Sequence, residues 1–332
     1  MSYKVGIIGA TGAVGREMID LLLKEQFPMV DLRLFASARS AGKEITVRGT
    51  TWKVQETDAK ACSDLDIVLM SAGGSISRAL GRELQAMGCL VIDNSSAFRM
   101  EPDVPLIVPE INAQDMIEHQ GLIANPNCST AIALMGLYPL HKEFNLKGFF
   151  AVTYQAVSGT GAAAMQELEE QVKAWQKGDP PKPSVYPHPI AFNLLPHAGN
   201  FEEDGYTDEE KKMYRESKKI LNLKELRVST TCVRVPVFRN HSIAIHAEFE
   251  KEVDLDQARN TIYMASGVEF NDNPAENRYP MPIDYVCRGP CGVGRLRRDS
   301  FFENGLALWV VGDQLWKGAA LNAVQIAQLA VK

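Results

Sequence analysis

Short apolar runs alternate with amphipathic stretches in the first part of the chain. Residues 3–8 form an apolar run typical of a buried strand, glycines follow directly, and residues 14–23 carry apolar side chains on one helical face. Helical periodicity returns at residues 77–87. Further runs of strand length occupy residues 32–36, 67–71, 90–93, 106–108 and 122–124. This alternation predicts a doubly wound parallel sheet in a domain of about 125 residues.

The pattern changes in the second part of the chain. An apolar stretch of helical length is followed by one long mixed run and by two runs that alternate like half-buried strands. These segments are residues 131–140, 148–157, 227–237 and 242–249. They predict a second domain with an open, largely antiparallel sheet.

Two further segments complete the expected organisation. Residues 177–189 are too rich in proline for a helix or a central strand, so we expect a loop there, or an arm onto a partner subunit. Residues 314–331 are amphipathic and rich in alanine, which predicts a closing helix. The predicted domains are residues 1–128 with 313–332, and residues 129–312.

Composition narrows the class of protein. A chain of 332 residues exceeds a single typical core, and its net charge of -6 argues against nucleic acid as a partner. No run approaches the ~18 apolar residues that cross a membrane, and no signal-peptide pattern follows Met1. We therefore expect a cytoplasmic protein without a membrane partner.

The six cysteines show no close-set framework, which is typical of thiols that are kept reduced. Cys287 and Cys291 are the only close pair, and no second pair of Cys or His ligands lies near them in the sequence. A disulfide scaffold is therefore not expected, and neither is a metal site.

A dinucleotide loop is predicted at the first glycine turn. The sequence GATGAVG at residues 9–15 directly follows the first strand and opens the first helix. Such a turn brings backbone amides close to a pyrophosphate, although the spacing departs from the usual Gly-x-Gly-x-x-Gly. The expected cofactor contacts are Gly9, Thr11, Gly12, Ala13, Val14 and Gly15.

The end of the second predicted strand favours NADP over NAD. Residues 32–43 contain no acid that could bind a ribose 2′-hydroxyl. Ser37, Arg39 and Ser40 instead offer a guanidinium and two hydroxyls, which suit a 2′-phosphate. The alternative is that Arg39 is an ordinary solvated arginine.

Cys128 is the candidate nucleophile. It stands in NPNCST, residues 125–130, just before an apolar helical stretch, where the helix dipole and free amides favour a thiolate. A thiolate beside a dinucleotide site suggests aldehyde oxidation through a thioester. From the hexapeptide alone, Cys128 could equally be a small buried residue of the turn.

Thioester chemistry also needs an acid or base. His241 stands at a turn that leads into a predicted strand, whereas His246 lies within that strand. Histidine is the usual acid-base residue, but a lone histidine in such a place is more often structural.

The motifs together resemble those of the aspartate-β-semialdehyde dehydrogenases. The match runs along the whole chain and includes GATGAVG and NPNCST, with CVRVP at residues 232–236 and GDQL at residues 312–315. It implies a Rossmann-type doubly wound α/β domain and an α+β catalytic and dimerisation domain.

The resemblance implies the NADPH-dependent reduction of L-4-aspartyl phosphate to L-aspartate 4-semialdehyde, a step toward lysine, threonine and methionine. Cys128 is then the acylated nucleophile and His241 the general acid/base. Gln155 orients the substrate and holds the thioester carbonyl, a task suited to an amide donor, and Asn127 assists it.

This substrate carries a phosphate, a carboxylate and an ammonium group, so it requires two cationic sites and one anionic site. By resemblance, Arg99 and Lys219 bind the phosphate, Arg234 binds the carboxylate and Glu216 binds the ammonium group. Glu216 and Lys219 have i,i+3 spacing on a predicted helix at residues 208–221, so they can reach one ligand. Without the resemblance they would be taken for a surface ion pair.

A second glycine turn, SGTG at residues 158–161, is used by the family near the nicotinamide. Ser158, Gly159 and Gln314 are the contacts that the resemblance implies, while a plain flexible hinge is the alternative. The resemblance also implies a homodimer or a dimer of dimers through the second domain.

Other functions stay open at the level of sequence. N-acetyl-γ-glutamyl-phosphate reductase shares the fold and the thioester chemistry, but an acidic partner such as Glu216 does not suit an acylated nitrogen. A glyceraldehyde-3-phosphate-type dehydrogenase is a more distant alternative. A non-catalytic paralogue that binds NADP would not need Cys128, Gln155 and His241 together.

Overall fold

The computed structural model describes residues 2–331; Met1 and Lys332, which end the predicted domains, lie outside the described residues. The chain divides into two compact units. The first is Met1–Asn127 with Ala319–Lys332, and the second is Cys128–Gly318.

These boundaries differ from the predicted ones at Cys128 and at residues 313–318, which belong to the second unit. The C-terminal difference has a physical reason. The buried Asp313 carboxylate accepts from Arg239 Nε at 2.8 Å, and the Gln314 side chain accepts from the Asn240 amide at 2.8 Å. These bonds hold the segment after the last strand to the second unit.

Thirteen strands and eight α-helices are present in the described chain. The strands are β1 (Tyr3–Ile8), β2 (Met29–Ala36), β3 (Glu44–Val47), β4 (Thr50–Glu56), β5 (Ile67–Met70), β6 (Leu90–Asp93), β7 (Leu122–Ala124), β8 (Leu146–Gln155), β9 (Arg227–Arg234), β10 (His241–Phe249), β11 (Val268–Phe270), β12 (Cys291–Arg298) and β13 (Gly305–Gly312). The helices are α1 (Ala13–Lys24), α2 (Gly74–Ala86), α3 (Pro109–Asn112), α4 (Cys128–Phe144), α5 (Ala162–Gln176), α6 (Asp208–Ile220), α7 (Leu255–Tyr263) and α8 (Leu321–Ala330). None of these helices is long and apolar enough to cross a membrane.

The first unit contains one sheet in the order β3-β4-β2-β1-β5-β6-β7. All neighbouring strands are parallel except β3 and β4. β5 is buried along its whole length, as expected for a central parallel strand that is covered on both faces. The predicted doubly wound α/β domain is therefore confirmed.

Two details of this sheet differ from the prediction. Residues 106–108 lie between Pro105 and Pro109 and form a single bridge, Leu106 to Ala124, instead of a strand. The β3–β4 hairpin was not predicted. Its turn residues, Arg48 and Gly49, both have positive φ angles, of 48° and 81°, as a type I′ turn requires.

The second unit contains a mixed six-stranded sheet in the order β11-β12-β13-β10-β8-β9. The three inner pairings, from β12 to β8, are antiparallel, and the two outermost pairings are parallel. The largely antiparallel character is confirmed. The sequence did not predict β11, β12 and β13.

Helix α4 packs against this sheet at β8, β10, β12 and β13. A Cβ atom on Gly136 would lie 2.6 Å from Val310 Cγ2, so glycine allows the close approach of helix and sheet. Residues 177–189 form the predicted loop. The predicted closing helix begins instead as a π-helix, Trp316–Ala320, which continues into α8.

Candidate active site

The glycine loop after β1 is shaped to accept a ligand close to its backbone. Gly9 has a φ angle of 91°, and a Cβ atom there would lie 2.3 Å from Ser71 O. A Cβ atom on Gly15 would lie 2.3 Å from Gly9 O. Gly12 caps α1 with no side-chain hydrogen bond, and the first turn contains no acid. The amide end of α1 is therefore suited to a pyrophosphate.

The predicted 2′-phosphate residues lie at the carboxyl end of β2, the strand next to β1. Phe35 O accepts from the amides of Gly9 and Ala10 at 2.9 and 3.1 Å, which ties the glycine loop to this end of β2. Ser37 and Arg39 are exposed and Ser40 is half-buried, in a 3-10 turn. Cationic and hydroxyl groups thus stand beside the amide-rich turn.

A second glycine turn in the first unit was missed. Gly73 caps α2 directly after β5, with a φ angle of 89° and no side-chain hydrogen bond. It follows Ser71, whose carbonyl faces Gly9. The signal was available in the sequence, because Gly73 and Gly74 follow a buried strand and open a helix.

Arg99 braces the segment that leads to Cys128. Its guanidinium is buried, with Nε donating to Asn125 O at 2.8 Å and Nη2 donating to Asn94 O at 2.7 Å. The Asn125 side chain accepts from Asn322 Nδ2 at 2.5 Å, and Asn127 is also buried. The turn before Cys128 is therefore tied down by polar contacts within the first unit.

Cys128 is the first residue of α4 and is half-buried. The first turn of α4 contains no acid that would oppose a thiolate. A Cβ atom on Gly318 would lie 2.6 Å from Cys128 Cβ, so the π-helix passes directly against the cysteine.

Gln155 ends β8 and is almost fully buried. Its Nε2 lies 2.8 Å from Ser129 Oγ, 3.3 Å from Thr153 Oγ1 and 3.3 Å from Glu209 Oε1. The amide therefore stands beside the residue that follows Cys128 and also beside the start of α6.

His241 is fully buried at the start of β10. Its Nδ1 accepts from the Ala156 amide at 3.1 Å, so the neutral ring carries its proton on Nε2. Nε2 has no hydrogen-bond partner among the described residues. Burial, and then the charge of Arg234, hold the pKa of His241 well below its usual value. The ring is therefore neutral, with one open N–H donor.

Arg234, His241 and the turn at Gly159 converge in the second unit. Arg234 ends β9, is buried, and donates from Nη1 to Ala156 O at 2.8 Å. A Cβ atom on Gly159 would lie 3.1 Å from Arg234 Nη1 and 3.3 Å from His241 Nε2. Glycine thus keeps the space beside both side chains open.

Gln314 joins the same turn to the start of β10. Its Nε2 donates to Ser158 Oγ, and its Oε1 accepts from the Asn240 amide at 2.8 Å. Ser158, Gly159 and Gln314, which the resemblance grouped together, therefore lie together in the second unit.

Helix α6 carries the same Glu-x-x-Lys spacing twice. The resemblance implied Glu216, which is buried, and Lys219, which is half-buried, as substrate ligands. Glu209 precedes Glu216 by two helical turns, about 10 Å along the axis, and it contacts Gln155. Lys212 Nζ lies 3.2 Å from Glu209 Oε2. Glu209 and Lys212 are therefore site candidates that were not predicted from the sequence.

No cluster of three or more His, Cys, Asp or Glu side chains that could hold a metal ion occurs in residues 2–331.

Comparison with known proteins identifies the family of both units. Residues 4–119 match the model of the semialdehyde dehydrogenase NAD binding domain, and residues 137–317 match that of the semialdehyde dehydrogenase dimerisation domain. Aspartate-semialdehyde dehydrogenase of Aquifex aeolicus is 48% identical over 100% of this chain and 99% of its own length. The Bacillus subtilis enzyme is 43% identical over 98% and 96%.

Solved structures agree with this identification. Aspartate semialdehyde dehydrogenase II of Vibrio cholerae has a TM-score of 0.95 at 39% identity, covering 100% of this chain and 99% of that chain. The same enzyme has also been solved in complex with ASA. The Candida albicans enzyme with NADP has a TM-score of 0.78 at 24% identity, covering 99% and 98%, and shows the fold alone.

These matches do not support the alternatives of N-acetyl-γ-glutamyl-phosphate reductase or a non-catalytic paralogue. The chain belongs to the aspartate-semialdehyde dehydrogenase family, whose members convert L-4-aspartyl phosphate to L-aspartate 4-semialdehyde in the biosynthesis of lysine, threonine and methionine.

Proposed function

We propose that the chain performs this reaction with NADPH, through a thioester on Cys128. One observation carries the assignment of residues. The fully buried imidazole of His241 accepts a hydrogen bond at Nδ1, whereas its Nε2 has no hydrogen-bond partner among the described residues. A buried polar atom without a partner is costly, so an open one suggests a ligand or a reacting group. Arg234 Nη1 and His241 Nε2 both border the space that a side chain at Gly159 would occupy, which supports the same interpretation.

In the proposed reaction, the Cys128 thiolate attacks the acyl phosphate carbon and phosphate leaves, so that a thioester forms. NADPH, when bound, supplies the hydride that reduces this thioester to the aldehyde. The former carbonyl oxygen becomes negatively charged in this step, takes up a proton and gives it back as the C–S bond breaks, which releases the aldehyde and regenerates the Cys128 thiolate. We assign this transfer, in which no net proton is consumed, to Nε2 of His241. Gln155 donates from its amide to the carbonyl oxygen, where negative charge develops.

The charged ends of the substrate require separate ligands. We propose that Arg234 binds the carboxylate, since its planar fork suits that group, that Arg99 serves the phosphate end, and that Asn127 assists Gln155 at the carbonyl oxygen. For the ammonium group we favour Glu209 over Glu216, because Glu209 contacts Gln155. We favour Lys212 over Lys219 as the second phosphate ligand, because Lys212 Nζ lies 3.2 Å from Glu209 Oε2.

The direct test is NADP reduction by the purified protein with L-aspartate 4-semialdehyde, with and without phosphate. Phosphate-dependent turnover on this aldehyde is the expected result. Turnover on N-acetyl-L-glutamate 5-semialdehyde instead would contradict the proposed substrate.

Glu209→Gln is expected to raise the KM for L-aspartate 4-semialdehyde about 10-fold to 100-fold, because one hydrogen bond between charged groups is worth ~1.5–3 kcal/mol. Steady-state kinetics with saturating NADP and phosphate measure the change. Glu216→Gln, the matched variant on the same helix, is expected to leave this KM within about twofold. If only Glu216→Gln raised the KM, Glu216 would be the ammonium ligand.

NADP is proposed over NAD because Ser37, Arg39 and Ser40 border the glycine loop. Arg39→Ala is expected to raise the KM for NADPH about 10-fold to 100-fold and to leave the KM for NADH unchanged, because only NADPH carries the 2′-phosphate. Arg48→Ala, which removes a surface arginine paired with Asp20, is the control. Equal effects of Arg39→Ala on both cofactors would rule out the 2′-phosphate contact.

We also propose a homodimer, or a dimer of dimers, through the second unit. One sheet face there carries aromatic side chains: Phe150 is 41% exposed and stacks on His246, while Tyr154 packs against Trp309. Such a face is typical of the core of a subunit interface. Analytical ultracentrifugation should give at least twice the chain mass. The proposed location is the cytoplasm, where cysteines are kept in the thiol form.

A further inference from the structure

The segment of residues 182–191, which we call the arm, is fixed to α5 by a buried carboxylate. Glu167 is 2% exposed. Its Oε2 accepts from Ser184 N at 3.2 Å and from Ser184 Oγ at 3.0 Å, and also from the amides of Val185 and Tyr186. Since a buried carboxylate requires such donors, this bonding holds the arm in one conformation.

Gln171 fixes the arm a second time, one turn further along α5. Its Oε1 accepts from the amides of Ile190 and Ala191 at 2.8 and 2.9 Å. Its Nε2 donates to Lys182 O at 3.1 Å and to Glu167 Oε1 at 2.8 Å. The two side chains therefore bind the arm on both sides of Tyr186.

Tyr186 is the arm residue that these contacts direct toward the candidate active site. Its ring packs against a buried apolar cluster formed by Val157, Ala164, Leu168, Ile190, Ala191 and Leu195. Its hydroxyl donates to Thr160 Oγ1 at 2.9 Å. Burial raises the pKa of the phenol, so the hydroxyl keeps its proton as a donor at neutral pH.

Thr160 belongs to the glycine turn that faces Arg234 and His241. Gln314 holds one end of this turn at Ser158 Oγ, and Tyr186 holds the other end at Thr160 Oγ1. Gly159 lies between these two contacts, where an added Cβ atom would meet both Arg234 and His241.

We propose that Tyr186 is a positioning residue for the reaction, which holds the turn of residues 158–161 against Arg234 and His241 through its hydrogen bond to Thr160. The proposal rests on the roles proposed above for Arg234 and His241. The arm thereby has a function within its own subunit.

The test is a double-mutant cycle in the full chain with Tyr186→Phe and Thr160→Val. Each change removes one partner and keeps the shape, so each should lower kcat/KM for L-aspartate 4-semialdehyde about twofold to tenfold. The double variant should be no worse than either single variant, because the same bond is lost. Thr160→Ser, which keeps the hydroxyl, should have the same kcat/KM as the unchanged protein.

Tyr214→Phe, which removes an exposed hydroxyl on α6, is the control and should have no effect. Additive losses in the double variant, or unchanged kinetics in Tyr186→Phe, would overturn the positioning role. Inactivity of the unchanged protein toward this aldehyde would count against the proposed function instead. In that case, NADP affinity is the second readout. Equal changes in this affinity in Tyr186→Phe and Thr160→Val would support the positioning role of the contact, and unchanged affinities would refute it.

Discussion

Cys128→Ser is expected to bind NADP as tightly as the unchanged protein and to lose at least about 1000-fold in turnover. Cys128 opens α4, where the amides and the helix dipole stabilise a thiolate but cannot ionise a serine hydroxyl at neutral pH. The decisive measurement is a rapid-mixing experiment with NADP and L-aspartate 4-semialdehyde in the absence of phosphate. The unchanged protein should form one NADPH per site and then stop, because the thioester has no phosphate to accept its acyl group. The variant should form none.

The matched control is Cys287→Ser, which makes the same chemical change at an exposed cysteine. It should give the full burst. Cys232→Ser is a second control and should also give the full burst. Burial raises the pKa of the Cys232 thiol to about 12, so this thiol stays protonated. A full burst from Cys128→Ser would show that the acyl group is carried elsewhere.

The core of the first unit could be predicted because its central strands are covered on both faces. β5 is buried along its whole length and β1 from Val5 to Ile8, so both strands are nearly continuous apolar runs that stand out in the sequence. The β3–β4 hairpin lies at the edge of the sheet, and only Ile45 and Val54 are buried there. Its apolar signal was therefore weak, although Arg48 and Gly49 offered a turn.

The candidate site was predictable where its chemistry is local. A glycine loop after a strand and a cysteine at the start of a helix are visible in a few adjacent residues. The convergence of Gln155 and Arg234 is different, because it depends on the register of β8 with β9, where these two residues are paired. The choice between two Glu-x-x-Lys spacings in α6 also required a tertiary contact, that of Glu209 with Gln155.

His241→Asn is expected to lower kcat about 100-fold to 10,000-fold, the usual loss when a general acid or base is removed. Asparagine is a fitting replacement because its side-chain oxygen can still accept from the Ala156 amide, whereas nothing replaces Nε2. The affinity for NADP should stay unchanged, since the proposed nucleotide contacts of the first unit are untouched. Parallel measurements of kcat and of NADP binding by fluorescence test both parts.

The same variant tests the protonation state through stability. Because burial and Arg234 hold the pKa of His241 well below its usual value, the unfolded chain takes up a proton as the pH falls through about 6.5 while the folded chain does not. The unchanged protein should therefore lose stability from this side chain between pH 7 and pH 5. His241→Asn lacks this titration, so its Tm should fall less over the same interval. Equal falls in Tm would contradict a neutral buried imidazole, and full activity of His241→Asn would assign the proton transfer to another residue.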